Sequence, residues 1–447
     1  MNGMARFKKG QDIDQAYLLP PSVRDWLPED HLAWFIEEAV ESLDIDPLLD
    51  MYRQSGKGEL PYDPRMMLRV LIFAYSTGVF SSRKIAAQLR ENIAFRVLAQ
   101  NQMPSHRSIC RFRELHIKQF DALFVQVVRI AAEAGLVKIG KLAIDGSKLK
   151  ANASKRKAMS YSRMLEEEAR LEREVAAILK LATDEDAEED EELGPDFRGD
   201  ELPEELRLRE TRLQEIRAAR DRLEKRKAEE ALEAEAKKKA DDEEKGRKPP
   251  KKRPGAWKHA PGKPKPKDQE NFTDPDSRIM KDSKGFEQCY NAQVASDGKS
   301  RLIVCAAVTN RAADNADLQP LIAGAMENVQ QPVNRVLADA GYRSEDNFQA
   351  LEASGIDGYI SIGGEGSTKV TVGKDREASR RMQRKLRTKR GRTRYRERKH
   401  LVEPVFGWLK SVLGFRAFSL RGLEKVSGEF SLVSAALNLR RMKALLA

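Results

Sequence analysis

Cysteine is scarce in this chain of 447 residues: Cys110, Cys289 and Cys305 are an odd number without paired spacing. Cys305 falls inside the apolar run RLIVCAAV, where a small buried hydrophobe belongs. A disulfide scaffold and a zinc ribbon are therefore excluded. Histidine is equally sparse, and its five positions (His31, His106, His116, His259, His400) show no HExxH spacing, so zinc chemistry of that type has no support. The chain has no G-x-x-x-x-G-K-[ST] phosphate loop either. The GGEGSTK at 363–369 lacks that spacing and reads as a flexible loop, so an ATP-driven mechanism is disfavoured and no nucleotide partner is expected. No stretch approaches ~20 consecutive apolar residues, and the opening MNGMARFKKGQDIDQ has no apolar run behind its charges. Neither a membrane span nor a secretory signal is expected, and the expected location is the cytoplasm.

What the sequence has in quantity is charge. Charged residues make up 34% against 40% hydrophobic, where roughly a quarter charged is usual. The length allows about three domains of roughly 150 residues, so a sizeable core is possible even if part of the chain never packs. The net charge of +11 is distributed in blocks. Residues 374–399 hold 14 Lys and Arg against three acids, an excess equal to that of the entire chain. Residues 245–267 add ten bases and six prolines with no acid, the composition of an extended basic linker, disordered without a partner. From 183 to 205 the sign reverses, and TDEDAEEDEELGPDFRGDELPEE reads as an acidic loop.

Around that loop the apolar spacing is helical. Met164, Leu171, Val175 and Ile178, then Leu206, Leu213, Ile216 and Leu223, recur at three-, four- and seven-residue steps. Two antiparallel helices in a coiled-coil hairpin fit this pattern, as does a charged single helix without a stable partner. Either way, roughly 155–270 behaves as an insertion. The first 140 residues read as short helices. Asp63 caps and Pro64 opens MMLRVLIFAYSTG, which Gly78 closes, and Ser81 and Ser105 start further helices. A helix-turn-helix over 64–99, with Arg83, Lys84, Arg90 and Arg96 for phosphates, and a plain helical packing domain both remain open.

After the insertion the period shortens towards 2. FEQCYNAQVASD and RLIVCAAVT read as a β-hairpin turning at Asp297-Gly298. A helix at 314–328, the strand VNRVLADAGY, a helix from Ser344 and the strand GYISI follow. With KLAIDGSK at 141–148 the order describes a mixed α/β sheet interrupted after its first strand.

Three acids flank buried runs: Asp145 after Leu142-Ala143-Ile144, Asp339 after Val336-Leu337-Ala338, and Glu403 before PVFGWL. Singly, each has an ordinary reading as a turn, a strand-end cap and a helix-start residue. Together they are what a pair of divalent metal ions needs for phosphodiester chemistry. Mg²⁺ is hard and takes oxygen ligands, and two ions roughly 3.5–4 Å apart serve both the attacking and the leaving oxygen.

LAIDGSKLKANAS (142–154), FTDPDSRIMKDSKGFEQCYNAQVASD (272–297), VLADAGYRSEDNF (336–348), YRERKHLVEPVFGWLK (395–410) and FSLRGLEKVSGEFSLVSAALNLRRM (418–442) together resemble DDE transposases of bacterial insertion sequences. Upstream, YDPRMMLRVLIFAYSTGVFSSRKIAAQL and SHRSICRFRELH resemble that family's helical N-terminal domain. The resemblance implies an RNase H-like catalytic fold with Asp145, Asp339 and Glu403 as catalytic, metal-holding triad. It also implies a Y-(2)-R-(3)-E-(6)-K signature, matched in type by Tyr395, Glu403 and Lys410. Four residues rather than three separate Arg398 from Glu403, and Lys399 occupies the expected basic position, so the Arg role lies between those two. Lys148, Tyr395, Arg398, Lys399 and Lys410 are the expected DNA contacts. Glu403 and Lys410, seven apart, would share a helix face.

The expected whole is an α+β multidomain protein. It comprises a helical DNA-binding domain over 1–138, a first catalytic strand region over 139–154, the charged insertion over 155–270, and the rest of the catalytic domain over 271–447. The implied function is cleavage of DNA at terminal inverted repeats and strand transfer into target DNA with two Mg²⁺, replaceable by Mn²⁺. Double-stranded DNA is the partner, a homodimer in a synaptic complex is expected, and the nucleoid is the place of action. An inactive, domesticated DNA-binding descendant is the alternative. A structural coiled-coil protein would explain 160–235 alone.

Overall fold

The computed structural model describes residues 22–52, 60–193, 204–244, 262–282, 285–363, 372–373 and 376–447. It divides into two compact units, Met1–Leu136 with Leu432–Ala447, and Val137–Ser431. The expected linker at 245–267 lies outside the described residues as far as 261, and the loop at 363–369 does so from 364.

The first unit is helical: α1 (Leu32–Glu41), α2 (Asp46–Leu49), α3 (Pro64–Ser76), α4 (Ser82–Glu91), α5 (Ile93–Leu98), α6 (His106–Leu115) and α7 (Gln119–Glu133). The Asp63 side chain accepts from the Arg65 N–H at 2.9 Å, Pro64 opens α3, and Gly78 follows its end at a φ of 80°. Because α3 is apolar on nearly every side, it is the centre of this unit, buried at Pro64 and from Met66 to Ser76. Phe73 meets Phe95 edge-on at 5.0 Å. The segment that Ser105 starts breaks at His116–Lys118 into α6 and α7 rather than running on as one helix.

The second unit holds β1 (Lys141–Lys150), β2 (Ala158–Ser160), α8 (Tyr161–Leu193), α9 (Glu204–Glu244), β3 (Gln269–Asn271), β4 (Arg278–Asp282), β5 (Gly285–Asp297) and β6 (Ile303–Thr309). After these come α10 (Leu318–Val329), β7 (Arg335–Ala338), α11 (Glu345–Ala353), β8 (Asp357–Ile360), α12 (Glu377–Arg387), α13 (Lys389–Leu401), α14 (Glu403–Gly407) and α15 (Leu423–Leu446), whose residues from Leu432 group with the first unit. The main sheet has the order β4-β5-β1-β7-β8, with β6 also on β5. It is mixed, as the order of elements implied: β1 runs antiparallel to β5 and parallel to β7. Leu142, Ala143, Ile144, Val336, Leu337 and Ala338 are fully buried, so the two central strands are apolar on both faces up to the point where their acids begin.

The insertion's helices pack against each other. Met164, Leu171, Leu213, Ile216, Ala219 and Leu223 form a buried cluster with Met159 of β2. Arg209 pairs with Glu174 while Arg217 and Arg220 pair with Glu168, so the helices run antiparallel. The acidic stretch expected as a loop from 183 is helical as far as Leu193; residues 194–203 lie outside the described ones. Glu and Asp at the carboxyl end of α8 do not break a helix whose other turns are rich in Glu, Ala and Leu, which are strong helix formers. Among the described residues no helix is long and apolar enough to cross a membrane.

Candidate active site

The strand register brings the first two acids side by side. Ile144 of β1 pairs with Ala338 of β7 in parallel, so the next residue on each strand is Asp145 and Asp339. Asp145 lies within β1, opposite Val294 of β5, and Asp145-Gly146 is not a hairpin turn. Asp339 ends its strand and caps a short 3-10 turn, its Oδ1 accepting from the Gly341 N–H at 2.8 Å. Here the strand-end-cap reading is correct, and it fixes the carboxylate in place.

Glu403 begins α14 with Pro404 in the first turn, and about half of its side chain is exposed. It reaches the other acids through Arg398. That buried guanidinium stands 3.7 Å from Asp145 Oδ2 by one nitrogen and 3.8 Å from Glu403 Oε1 by the other. Lys399 is exposed, so of the two basic candidates it is Arg398 that meets the acids. Tyr395 and Arg398 share α13, with the guanidinium 5.9 Å from the ring centre, while Val402 separates α13 from α14. The Tyr395 hydroxyl is buried without a hydrogen-bond partner among the described residues.

Lys410 lies in a π-helical turn, Trp408–Val412, that widens the continuation of α14. Its Nζ donates to Ser147 Oγ at 2.6 Å and to the Lys148 carbonyl at 3.3 Å. Lys148 itself is turned to another acid, its Nζ donating to Asp314 Oδ1 at 3.0 Å. The expected contacts therefore divide. Arg398 and Lys410 lie against the acids and β1, Lys148 is held by Asp314, and Lys399 faces solvent.

Burial pushes the Asp145 carboxyl up to about 7, and the charge of Asp339 adds to it, against the pull of Arg398 and of the Gly146 N–H at 2.9 Å. The Asp339 carboxyl is also raised, first by burial and further by Asp314, against the Gly341 N–H, Arg398 and Lys148. Among the described residues no three His, Cys, Asp or Glu side chains form a ready-made ion site, and Arg398 lies between Asp145 and Glu403. The donor chemistry nonetheless fits a hard cation. Asp145 and Glu403 share one guanidinium with Asp339 beside them, and all their ligating atoms are oxygen.

The sequence reading missed Asp314, which precedes α10 and resembled a helix-start residue, together with Asn291 and Gln293. The two amides donate to Asp314 Oδ1 at 2.6 and 2.7 Å, and the Tyr342 hydroxyl donates to Gln293 Oε1. A usable signal was present: two amides at alternate positions in YNAQVA, an otherwise apolar stretch of strand, must be buried and so need partners. Gly341 belongs to the same constellation. A Cβ there would stand 2.7 Å from Asp314 Oδ2 and 3.0 Å from Asp339 Oδ1, so only glycine leaves both oxygens their place.

The basic block 374–399 is carried by α12 and α13, apart from residues 374–375, which are not described. Arg381 and Lys385 are tied to Glu352 and Asp357, whereas Arg384, Arg387, Lys389, Arg392 and Arg396 are exposed. Two family models match the chain: the one described as Transposase domain (DUF772) over residues 21–115, and the one described as Transposase DDE domain over residues 257–439. The second spans Asp339 and Glu403; Asp145 lies in neither match. No curated protein and no solved structure matches the chain.

Proposed function

We propose that this chain, which belongs to the DDE transposases of the insertion-sequence type, cuts DNA at the terminal inverted repeats of its element and joins the freed ends to target DNA. The observation that carries this reading is the register that sets Asp145 beside Asp339, with Glu403 connected to them through Arg398. Asp145, Asp339 and Glu403 would hold divalent ions, Mg²⁺ or Mn²⁺. When bound, these polarise the scissile phosphate and activate the attacking oxygen, the same requirement for cleavage and for strand transfer.

The chain's own groups do the rest. Asp145 and Asp339 are half-buried, which leaves their oxygens within reach of an ion. The hydrogen bonds from Gly146 and Gly341 fix which oxygen of each faces the site. Arg398 balances part of the charge, and the Lys410 ammonium beside Ser147 supplies a donor for DNA phosphate. The exposed arginines of α12 and α13 grip the backbone without reading sequence. In the helical unit, Arg83, Lys84 and Arg90 are exposed on α4 and suit the same contact. Joining two ends to one target calls for two copies of the chain in a synaptic complex.

The test is cleavage of a supercoiled donor plasmid carrying the repeats, with Mg²⁺ present. Asp339→Ala should lose roughly a thousandfold or more in cleavage while still binding end DNA. Cleavage that persists in this variant overturns the assignment of the acids.

A further inference from the structure

The pairing of Lys148 with Asp314 has no role in the chemistry above, although it lies next to Asp339. Both side chains are mostly buried, at 18% and 19% exposure, where an uncompensated charge is costly. Asp314 Oδ1 is fully used: Lys148, Asn291 and Gln293 all donate to it. Its other oxygen faces Gly341, across from Asp339 Oδ1.

The Lys148 ammonium acts on two further carboxylates, those of Asp317 and Asp339. Asp317 is already engaged by Arg311. Among the described residues Asp339 has only the Gly341 N–H as a direct hydrogen-bond donor, so it is the carboxylate to which a released Lys148 would turn. A Lys148–Asp339 ion pair would occupy oxygens that a divalent ion needs.

We infer that Asp314 is a positioning residue: it sequesters the Lys148 ammonium and so keeps the Asp339 carboxylate open to a divalent cation. This rests on the reading of Asp339 as a metal ligand. Partners one step removed from a metal's ligands characteristically alter its affinity by about 10–100-fold, and here the partner acts by holding a competing cation away.

The experiment measures Mn²⁺ binding to the full chain without DNA, by the electron paramagnetic resonance signal of free Mn²⁺. Asp314→Asn should weaken binding about tenfold or more. The double variant Asp314→Asn with Lys148→Met should recover most of that loss, because the competing ammonium is gone; a merely structural role for Asp314 predicts no recovery. Lys148→Met alone should bind Mn²⁺ at least as tightly as the wild type. The inference is overturned if the double variant binds as poorly as Asp314→Asn, or if Asp314→Asn binds normally. Should Asp314→Asn not fold, Lys148→Met decides alone, and weakened Mn²⁺ binding there overturns the inference. Asp339→Asn serves as the separate check. If it binds Mn²⁺ like the wild type, the reading of Asp339 as a ligand fails, and the inference with it; if it loses Mn²⁺, only the Asp314 variants bear on the inference.

Discussion

Carboxylates meet arginines in two parts of the second unit, with opposite balances. At the root of the α8–α9 hairpin, Glu270 takes Arg222 at 2.7 Å and Arg226 at 3.1 Å, and Glu168 takes Arg217 at 3.0 Å and Arg220 at 2.6 Å. Each acid has two guanidiniums. Between β1 and α13 the ratio is inverted, with Asp145 and Glu403 sharing Arg398 while Asp339 stands beside them. The hairpin's acids are closed into ion pairs and hold helices together. The acids at the strand ends repel one another and gain from an added cation. Composition does not separate these cases, since both regions are rich in Glu, Asp and Arg; the difference lies in how many cations face each acid.

The sharpest way to break this contrast is to exchange the consequences. Glu270→Ala removes the acceptor that Arg222 and Arg226 share and should cost about 1–3 kcal/mol of stability in urea unfolding, while repeat cleavage per folded molecule stays near wild type. Lost cleavage without lost stability would move Glu270 out of the architectural class.

Asp145→Asn should do the reverse, and its effect depends on pH. Folded, Asp145 keeps its proton up to about pH 7, whereas unfolded it releases it near the ordinary carboxylate value of about 4. The folded chain thus binds more protons between those values. Stability is lost as pH rises through that window and stays lost above it. Asparagine removes this penalty, so metal-free Asp145→Asn should gain about 1–2 kcal/mol over the wild type between pH 5 and pH 8, discounted from the full shift for partial solvation. Parallel pH profiles for the two proteins would show that Asp145 is not held protonated.

The smallest effect concerns the exposed bases. Arg384→Gln and Arg392→Gln should each lower the slope of log affinity for DNA against log salt by about 1, without changing sequence preference. Substituting Arg217, already committed to Glu168, should leave that slope unchanged. If all three act alike, the division between committed and free cations fails.

Much of this was legible beforehand because it follows from local rules. Asp63-Pro64 and Gly78 delimit α3, and Ser344 caps α11 by accepting from the Asn347 N–H at 3.0 Å. The period near 2 in FEQCYNAQVASD finds β5, although the strand is buried on both faces from Gln288 onward, and the spacing of Met164, Leu171, Leu213 and Leu223 picks out residues of one buried cluster. The helix starting near 314 begins at Leu318 instead, because Asp314 is occupied by Lys148 and two amides and does not cap it. The dense acidic run beyond 183 reads as a loop from its charge, whereas its Glu, Ala and Leu carry α8 on to Leu193.

The sequence by itself determined the elements, the apolar strands that end in acids, and the excess of bases on one segment. These depend on residue type and on spacings of a few positions along the chain. Only the tertiary structure decided that Arg398 rather than Lys399 meets the acids, and that Lys148 belongs to Asp314. It also decided that Asp145 and Asp339, 194 positions apart, are neighbours across a parallel pair of strands. Those outcomes turn on register and on which charge is nearest after burial, and a long-range Coulomb contact leaves no period in the sequence from which to read it.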